Sequence, residues 1–433
     1  MSARSPDILA IAREPGRPTS RAWFTWALSA LVAVMPLSFS IEPRIKALPV
    51  ALLFVSGLAL LWRAAVRRSC LAAAPVLAGA LVLAAFDIGN VLGHRLGARP
   101  LDHAAHVLLY VAVAAVFARP LRMALVWTGF SLTAIGLGAV CLVQHYGLGI
   151  ARAYGLNGGD SSAIECATVL LGLALLALVQ LLYAGVGSRR WWLHAAAMVF
   201  GMYGALLTQS RGPLLAFVPA FLLVLLAHAW RSRRWRASVA LATVVCLGGA
   251  IATVSLHGAM LGRFDTIQQE VAGFDQGDPA GSVGERLEMW RTALRAFAEH
   301  PLAGVGIGEY GAYVQAEIAA GRTNPSIARY NQPHNEYLRA LATGGVPQLL
   351  AVLAAFGLPL VWFGRRLRHP DETVAATASA GLAIVVLYLL CALGESVFYR
   401  VMSQSFFFFL VTGLAVRIGQ RTRCLLGDEE PAP

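Results

Sequence analysis

The chain has 433 residues, of which 58% are hydrophobic and only 13% charged, with a mean hydropathy of +0.64. A soluble domain carries nearer a quarter charged residues, so the balance excludes a soluble globular enzyme and implies an all-α, polytopic membrane protein. The formal charge of +12, from 35 Lys and Arg against 23 Asp and Glu, is concentrated beside apolar stretches and reads as membrane topology, not as nucleic-acid binding.

Stretches of about 20 apolar residues span a bilayer core, and in lipid only a helix or a closed barrel satisfies its own backbone. About twelve transmembrane helices are predicted on this criterion. Residues 1–22 form a polar cytoplasmic N-terminal segment. The first span is long and no A-x-A site follows it closely, so it reads as a signal-anchor and not a cleaved leader. Spans one to nine fill 23–256, at 23–40, 47–62, 71–92, 103–118, 123–146, 163–186, 191–207, 213–230 and 237–256. A polar segment, 257–340, then interrupts the pattern and holds ten of the 23 acidic residues. Spans ten to twelve follow within 341–419, at 345–364, 373–392 and 403–419. The cytoplasmic tail is 420–433, with disorder expected beyond Arg423.

Lys and Arg set the orientation. With the N-terminus cytoplasmic, inside segments hold 21 basic residues and short outside loops only seven, which is the positive-inside asymmetry. The same parity makes 257–340 a large periplasmic loop. Six cysteines occur, at 70, 141, 166, 246, 391 and 424, none of them in that loop. No disulfide framework and no cysteine-based metal site is therefore predicted.

The polar loop has readable structure of its own. Ser282-Val283-Gly284-Glu285 matches a capping box. The helix after it places Leu287, Trp290, Leu294 and Phe297 on one face, and Pro301 with Gly304, Gly306 and Gly308 ends it. A second short helix is predicted to start near Pro333, a favoured first helical position. That places His334 at the head of an apolar face with Leu338 and Leu341. Gly344-Gly345 stops this helix, and Pro347 opens the tenth span.

Three side chains on the outer side are candidates for chemistry. Arg211 lies in the turn Thr208-Gln209-Ser210-Arg211-Gly212-Pro213, Arg286 in the first loop helix, and His334 at the second. Taken singly, each has a plain structural role: a headgroup anchor, a solvated helix face, a capping histidine. Taken together on one side of the membrane, they suit a phosphorylated substrate. Arg forks match phosphate oxygens bidentately, and a His can accept a proton near neutral pH. A metal site is not supported. The first outer loop, Ser40-Ile41-Glu42-Pro43-Arg44-Ile45-Lys46, offers one acid where a D-x-D or E-x-D pair would be needed. Asp102-His103-Ala104-Ala105-His106 reads as the interfacial start of a span. Walker, G-x-S-x-G and H-E-x-x-H patterns are absent. Asp87 and Glu165 are the main acids within spans, and with no relay series and no internal repeat a transporter is the weaker reading.

Gln209-Ser210-Arg211-Gly212, then Gly284-Glu285-Arg286, Trp290, Ala296 and His300-Pro301-Leu302-Ala303-Gly304-Val305-Gly306, then His334-Asn335-Glu336-Tyr337-Leu338 and Gly344-Gly345, resemble the O-antigen ligase and polymerase superfamily over roughly residues 195–365. Size, span number and the single large loop look most like its O-antigen ligase members. The resemblance implies a glycosyltransferase that moves O-antigen polysaccharide from undecaprenyl pyrophosphate to a sugar hydroxyl of lipid A–core. Transfer would be inverting and metal-independent, without a cofactor, on the periplasmic face of the bacterial inner membrane. Partners would be donor, acceptor and membrane lipids, with no nucleic acid. The resemblance assigns His334 as the catalytic base and Arg211 and Arg286 as pyrophosphate binders, with Arg152, Ser210, Arg291 and Asn335 as possible supporters. An O-antigen polymerase, a protein O-oligosaccharyltransferase and a polysaccharide or lipid transporter are the alternatives.

Overall fold

The computed structural model describes residues 20–41, 43–156, 162–184, 186–232 and 281–427, with single positions 235, 241 and 243. The predicted ninth span, apart from positions 241 and 243, and the first part of the polar segment, 257–280, lie outside the described residues. So does the end of the tail from Asp428.

The described residues are helical, with no strand among them. The first group of helices is α1 (Ser20–Phe39), α2 (Pro43–Leu61), α3 (Ala64–Ala72), α4 (Ala74–Gly93), α5 (Leu101–Ala114), α6 (Met123–Leu142), α7 (Ala163–Tyr183), α8 (Arg189–Leu207) and α9 (Arg211–Ser232). The second is α10 (Gly281–Glu299), α11 (Tyr310–Ala319), α12 (Glu336–Gly364), α13 (Glu372–Cys391) and α14 (Val401–Leu425). Among the described residues, nine helices are long and apolar enough to cross a membrane: α1, α4, α5 with its 3-10 extension to Ala118, α6 with its last turn to Gly147, α7, α9, α12, α13 and α14. The chain is thus a polytopic, all-helical membrane protein.

The remaining predicted spans differ in detail. The pair α2–α3 bends by 103°. Arg67 donates to the carbonyls of Leu61 and Trp62 at the end of α2, so the chain turns at its first basic cluster and the predicted 71–92 span begins only at Ala74. Helix α8 occupies the predicted span 191–207 but is not among the nine. It opens on Arg189 and Arg190, and it buries His194 against the Ser131 hydroxyl at 2.8 Å.

Helix α14 is the central post. Its phenylalanines 406–409 are buried, and Phe406 and Phe409 pack edge-on against Phe39 of α1, with Phe409 also against Tyr110 of α5 and Phe117. Offset and edge-on ring pairs of this kind outdo plain apolar contact. The helix continues to Leu425, six residues beyond the predicted span, because Arg421 pairs with Asp371 and Arg423 donates to the Ala65 carbonyl. These contacts, with Arg231 on the carbonyls of His369 and Pro370, mark the Arg-rich end of the bundle.

The opposite end carries the polar segment. Helices α10 and α11 fold over their own small core of Met289, Ala293, Ala296, Tyr310, Val314 and Ile327, closed by Ala342 of α12. The buried face of α10 is therefore Met289, Thr292, Ala293 and Ala296, displaced from the predicted stripe. Leu294 is 49% exposed. Small alanines let the helix backbone approach its neighbours, and Trp290 flanks the contact. Glu285 accepts from the Arg329 guanidinium and the Tyr330 hydroxyl, while the side chain of Ser282, its predicted capping partner, lies outside what is described.

Candidate active site

The site is built on a joint between two glycine-bearing segments. Helix α12 kinks at Gly345, where φ is 66° and ψ −159°. The stretch His300–Gly306 docks against this kink through three backbone bonds. Val305 N donates to Ala342 O (2.8 Å), Gly306 N to Thr343 O (3.0 Å) and Val346 N to Pro301 O (2.8 Å). A Cβ on Gly304 would lie 2.2 Å from the Thr343 carbonyl carbon, and one on Gly345 would lie 2.3 Å from Pro301 O. Only glycine fits either place. His300-Pro301-Leu302-Ala303-Gly304-Val305-Gly306 is thus a structural joint, and its own His300 is exposed.

The predicted start of the second helix shifts by three residues. Asn335 is the N-cap, its side chain accepting from Leu338 N at 3.0 Å, and Glu336 is the first helical residue. His334 precedes the helix in a left-handed conformation, φ 49°. An Asn side chain is a strong cap, and a left-handed residue before it swings the imidazole off the helix axis. Non-glycine residues adopt positive φ rarely, and such backbone strain gathers at functional sites.

Two contacts hold the His334 ring, and a third holds the backbone before it. Its Nδ1 lies 2.8 Å from Glu395 Oε1. Tyr330 packs edge-on, centroids 5.5 Å apart. The preceding carbonyl, Pro333 O, accepts from Trp290 Nε1 at 3.0 Å. Burial, then the bond to Glu285, pushes the Tyr330 phenol above its usual pKa, so a neutral phenol faces the ring. The carboxylate partner places the proton on Nδ1 and leaves Nε2 as the acceptor. Both side chains are mostly sheltered, with 17% of His334 and 12% of Glu395 exposed.

Glu395 sits in the connection between α13 and α14, and the start of α12 latches that connection. Glu336 is fully buried. Its N donates to Ala392 O (2.9 Å), and its Oε2 accepts from Phe398 N (3.0 Å). Arg339 neutralises it, with Nε 3.1 Å from Oε1. Asn335 Nδ2 donates to Leu393 O at 3.0 Å, and Tyr337 OH to Leu389 O at 2.8 Å. Asn335 therefore supports the site by position and does not face the reacting groups. A buried ion pair left with one member is costly, so Glu336 and Arg339 stand or fall together.

The predicted arginines divide into two groups. Arg286 projects from α10 toward the same connection: a Cβ on Gly394, the neighbour of Glu395, would lie 3.9 Å from Arg286 Nη1. It forms no salt bridge with a carboxylate among the described residues, so its fork is available to a ligand. Arg291, five residues along α10, is exposed and turned about 140° from Arg286 around the helix axis, away from that connection. The second group is Arg152, Ser210 and Arg211. Arg152 Nε donates to Thr208 O (3.0 Å), and its Nη2 lies 3.4 Å from Ser210 Oγ. Gln209, φ 55°, donates to Ala151 O at 2.8 Å. Arg152 and Ser210 thereby brace the tight turn that presents Arg211, exposed, as the first residue of α9.

The two groups occupy the same end of the bundle and are linked through α7. Cys166 lies beneath Gly155 of the Arg152 segment. The neighbouring Glu165 pairs with Arg400 at 3.7 Å, and Glu165, Arg400 and Glu395 line one small niche with Ser396 and Thr168. Sequence reasoning missed Glu395, Arg400 and Glu336 as parts of the site. The available signal was one acid and one Arg in the short connection 392–400, on the side where basic residues are scarce. Among the described residues, no group of three or more His, Cys, Asp or Glu is placed to hold a metal.

The arrangement is an oriented imidazole at the start of a kinked helix, with a guanidinium that pairs with no carboxylate among the described residues directed at the same 392–400 connection. Such a pair can remove a proton from a hydroxyl while a phosphate leaving group is held. A family model described as O-antigen ligase matches residues 196–352, a range that contains Ser210, Arg211, Arg286, His334 and the glycine joint. An uncharacterized protein of Haemophilus influenzae is 17% identical over 323 residues, covering 74% of this chain and 80% of that protein.

Proposed function

We propose that this chain, a member of the O-antigen ligase and polymerase superfamily, is an O-antigen ligase. In this reading it transfers polysaccharide from undecaprenyl pyrophosphate to a sugar hydroxyl of lipid A–core, on the periplasmic face of the inner membrane. The observation that carries the reading is the His334–Glu395 pair, 2.8 Å apart, beside the available Arg286. His334 Nε2 takes the proton of the acceptor hydroxyl as its oxygen attacks the anomeric carbon from the face opposite the diphosphate. The carbon–oxygen bond to the diphosphate breaks, the configuration inverts, and Glu395 stabilises the imidazolium. Arg286 and Arg211 carry the charge of the departing undecaprenyl diphosphate. No activation by nucleotide is required, because the donor already holds a diphosphate leaving group. Both lipid tails stay in the bilayer while the reacting groups meet at its surface, so binding supplies proximity.

The test is a deletion strain analysed for lipopolysaccharide banding. Loss of a ligase leaves bare core, and complementation by His334→Ala leaves it bare. Core carrying one repeat unit in the deletion strain would refute the ligase assignment and favour a polymerase. Purified protein offered lipid A–core, a lipid-linked glycan and a Ser/Thr peptide in parallel should use only the first. Impermeant labelling of single cysteines placed in 300–330 should succeed in intact spheroplasts; protection there would overturn the periplasmic orientation.

A further inference from the structure

A groove of about 590 Å³ lies between α4 and α12, below the glycine joint. Its walls are mainly apolar: Ala85, Phe86, Gly89 and Gly93 of α4, then Leu302, Ala303 and Pro347. It opens among side chains that face outward from the bundle, with Val82 and Phe86 on α4 and Val346 and Leu350 on α12 all exposed. In a membrane these positions face lipid, so an occupant enters from the bilayer.

Two further features show that this is more than a gap between helices. Gln348 lines the groove and is 1% exposed, yet its Oε1 has no hydrogen-bond partner; its amide nitrogen is committed to Asp87. Leaving a buried carbonyl without a donor is unfavourable, and a ligand donor would satisfy it. The second feature is at the rim. His94 lines the groove and is pinned on Ala303 O at 3.0 Å, and the loop it begins, 94–100, carries Arg95 and Arg99. Both are exposed, and neither pairs with a carboxylate among the described residues. The short loops at this end hold only seven basic residues in all, and two of them stand in this one loop, where an anion would meet both.

We propose that the groove binds an acyl chain of a phosphorylated lipid, with the lipid phosphate on Arg95 and Arg99 and an O–H or N–H near the head of the chain donating to Gln348 Oε1. This deepens the ligase reading and rests on it: the lipid is the anchor of the acceptor, not of the donor. The donor's reacting carbon is bonded directly to its diphosphate, which must therefore lie at His334. The groove's upper rim is level with Thr343 and Gly344, seven to eight residues and so about 10–12 Å along α12 from its start. A phosphate at that rim cannot belong to the sugar carbon under attack. It suits a lipid whose reactive hydroxyl is separated from its phosphates by several sugar residues.

Gly89 gives a direct perturbation, since a Cβ there meets nothing within 4 Å and a larger side chain starts out into the open space of the groove. The probes are lipid A, undecaprenyl phosphate and dioleoyl phosphatidylglycerol, whose head is anionic but whose chains lack O–H and N–H groups. Binding to the full-length protein in delipidated detergent is read by native mass spectrometry. Gly89→Leu and Gly89→Trp should weaken lipid A at least tenfold and leave undecaprenyl phosphate unchanged. Arg95→Gln and Arg99→Gln should each weaken lipid A about fivefold, and Arg286→Ala should leave it unchanged. Lipid A binding by Gly89→Leu within twofold of the wild type would overturn the groove as the site. Phosphatidylglycerol competing as well as lipid A would overturn its assignment to the acceptor. Binding is read without turnover, so the two readings fail separately: a wild-type protein that binds lipid A here but never glycosylates it would sink the ligase and leave the groove.

Discussion

Replacing Glu395 by Gln keeps the shape of the side chain and removes its charge, which isolates what the carboxylate does for His334. The bond is 2.8 Å long, and 12% of Glu395 and 17% of His334 are exposed, so solvent screens it weakly. A hydrogen bond to a charged group contributes about 1.5–3 kcal/mol, and each 1.36 kcal/mol is tenfold in rate. Glu395→Gln should therefore slow transfer by roughly 10- to 150-fold. His334→Ala, which removes the base itself, should cost about 10²–10⁴-fold. Two groups acting as one unit are not additive. In the His334→Ala background, Glu395→Gln should cost less than about twofold. The assay is transfer to lipid A–core in proteoliposomes at saturating donor, with donor binding measured separately and monodispersity checked. Two results would refute the reasoning: a folded Glu395→Gln protein with wild-type turnover, or the same loss from Glu395→Gln with and without His334. The second would mean that Glu395 supports the fold and not the imidazole.

Arg286→Ala and Arg211→Ala should weaken donor binding as well as turnover, and Lys at either position should restore part of both, because it keeps the charge and loses the fork; Arg291→Ala should leave donor affinity within about twofold. Transfer by the purified protein should persist in EDTA, and activity that vanishes with chelator and returns with Mg²⁺ would defeat an arginine-based mechanism. Gly345→Ala places a Cβ 2.3 Å from Pro301 O at a φ of 66°, so it should lower the melting temperature of the detergent-solubilised protein and lose activity with it; an unchanged melting curve would contradict the joint. Bonds from Arg322 first, and then Arg295, hold the Glu317 carboxyl below its ordinary value of 4.5. Its folded pKa is depressed, so its contribution to the loop's stability is present above pH 4.5 and is lost as pH falls below that value. Limited proteolysis of α10–α11 should accelerate over that acid range in the wild type and show no such step in Glu317→Gln.

The pattern of apolar runs determined the architecture before any packing was known, because a bilayer forces each run of about 20 such residues to be a helix. The same runs set the polar segment apart, and residue type alone offered His334, Arg286 and Arg211 as candidates for a hydroxyl base and a diphosphate cradle. Local signals misled where tertiary contacts outweighed them. The stripe Leu287–Phe297 lost to a face of small alanines that allows a closer approach. Pro333 as a first helical residue lost to the Asn335 cap. What only the tertiary structure decided was everything joined across long sequence separations: Glu395 on His334 from 61 residues away, Glu336 latching the connection before α14, and Arg152 bracing the turn of Arg211. It also decided that two glycine motifs form a single joint. A hydrogen bond between distant segments leaves no periodicity in either one. It exists only once the helices that carry both ends have packed, and that packing is set by all the surrounding side chains together.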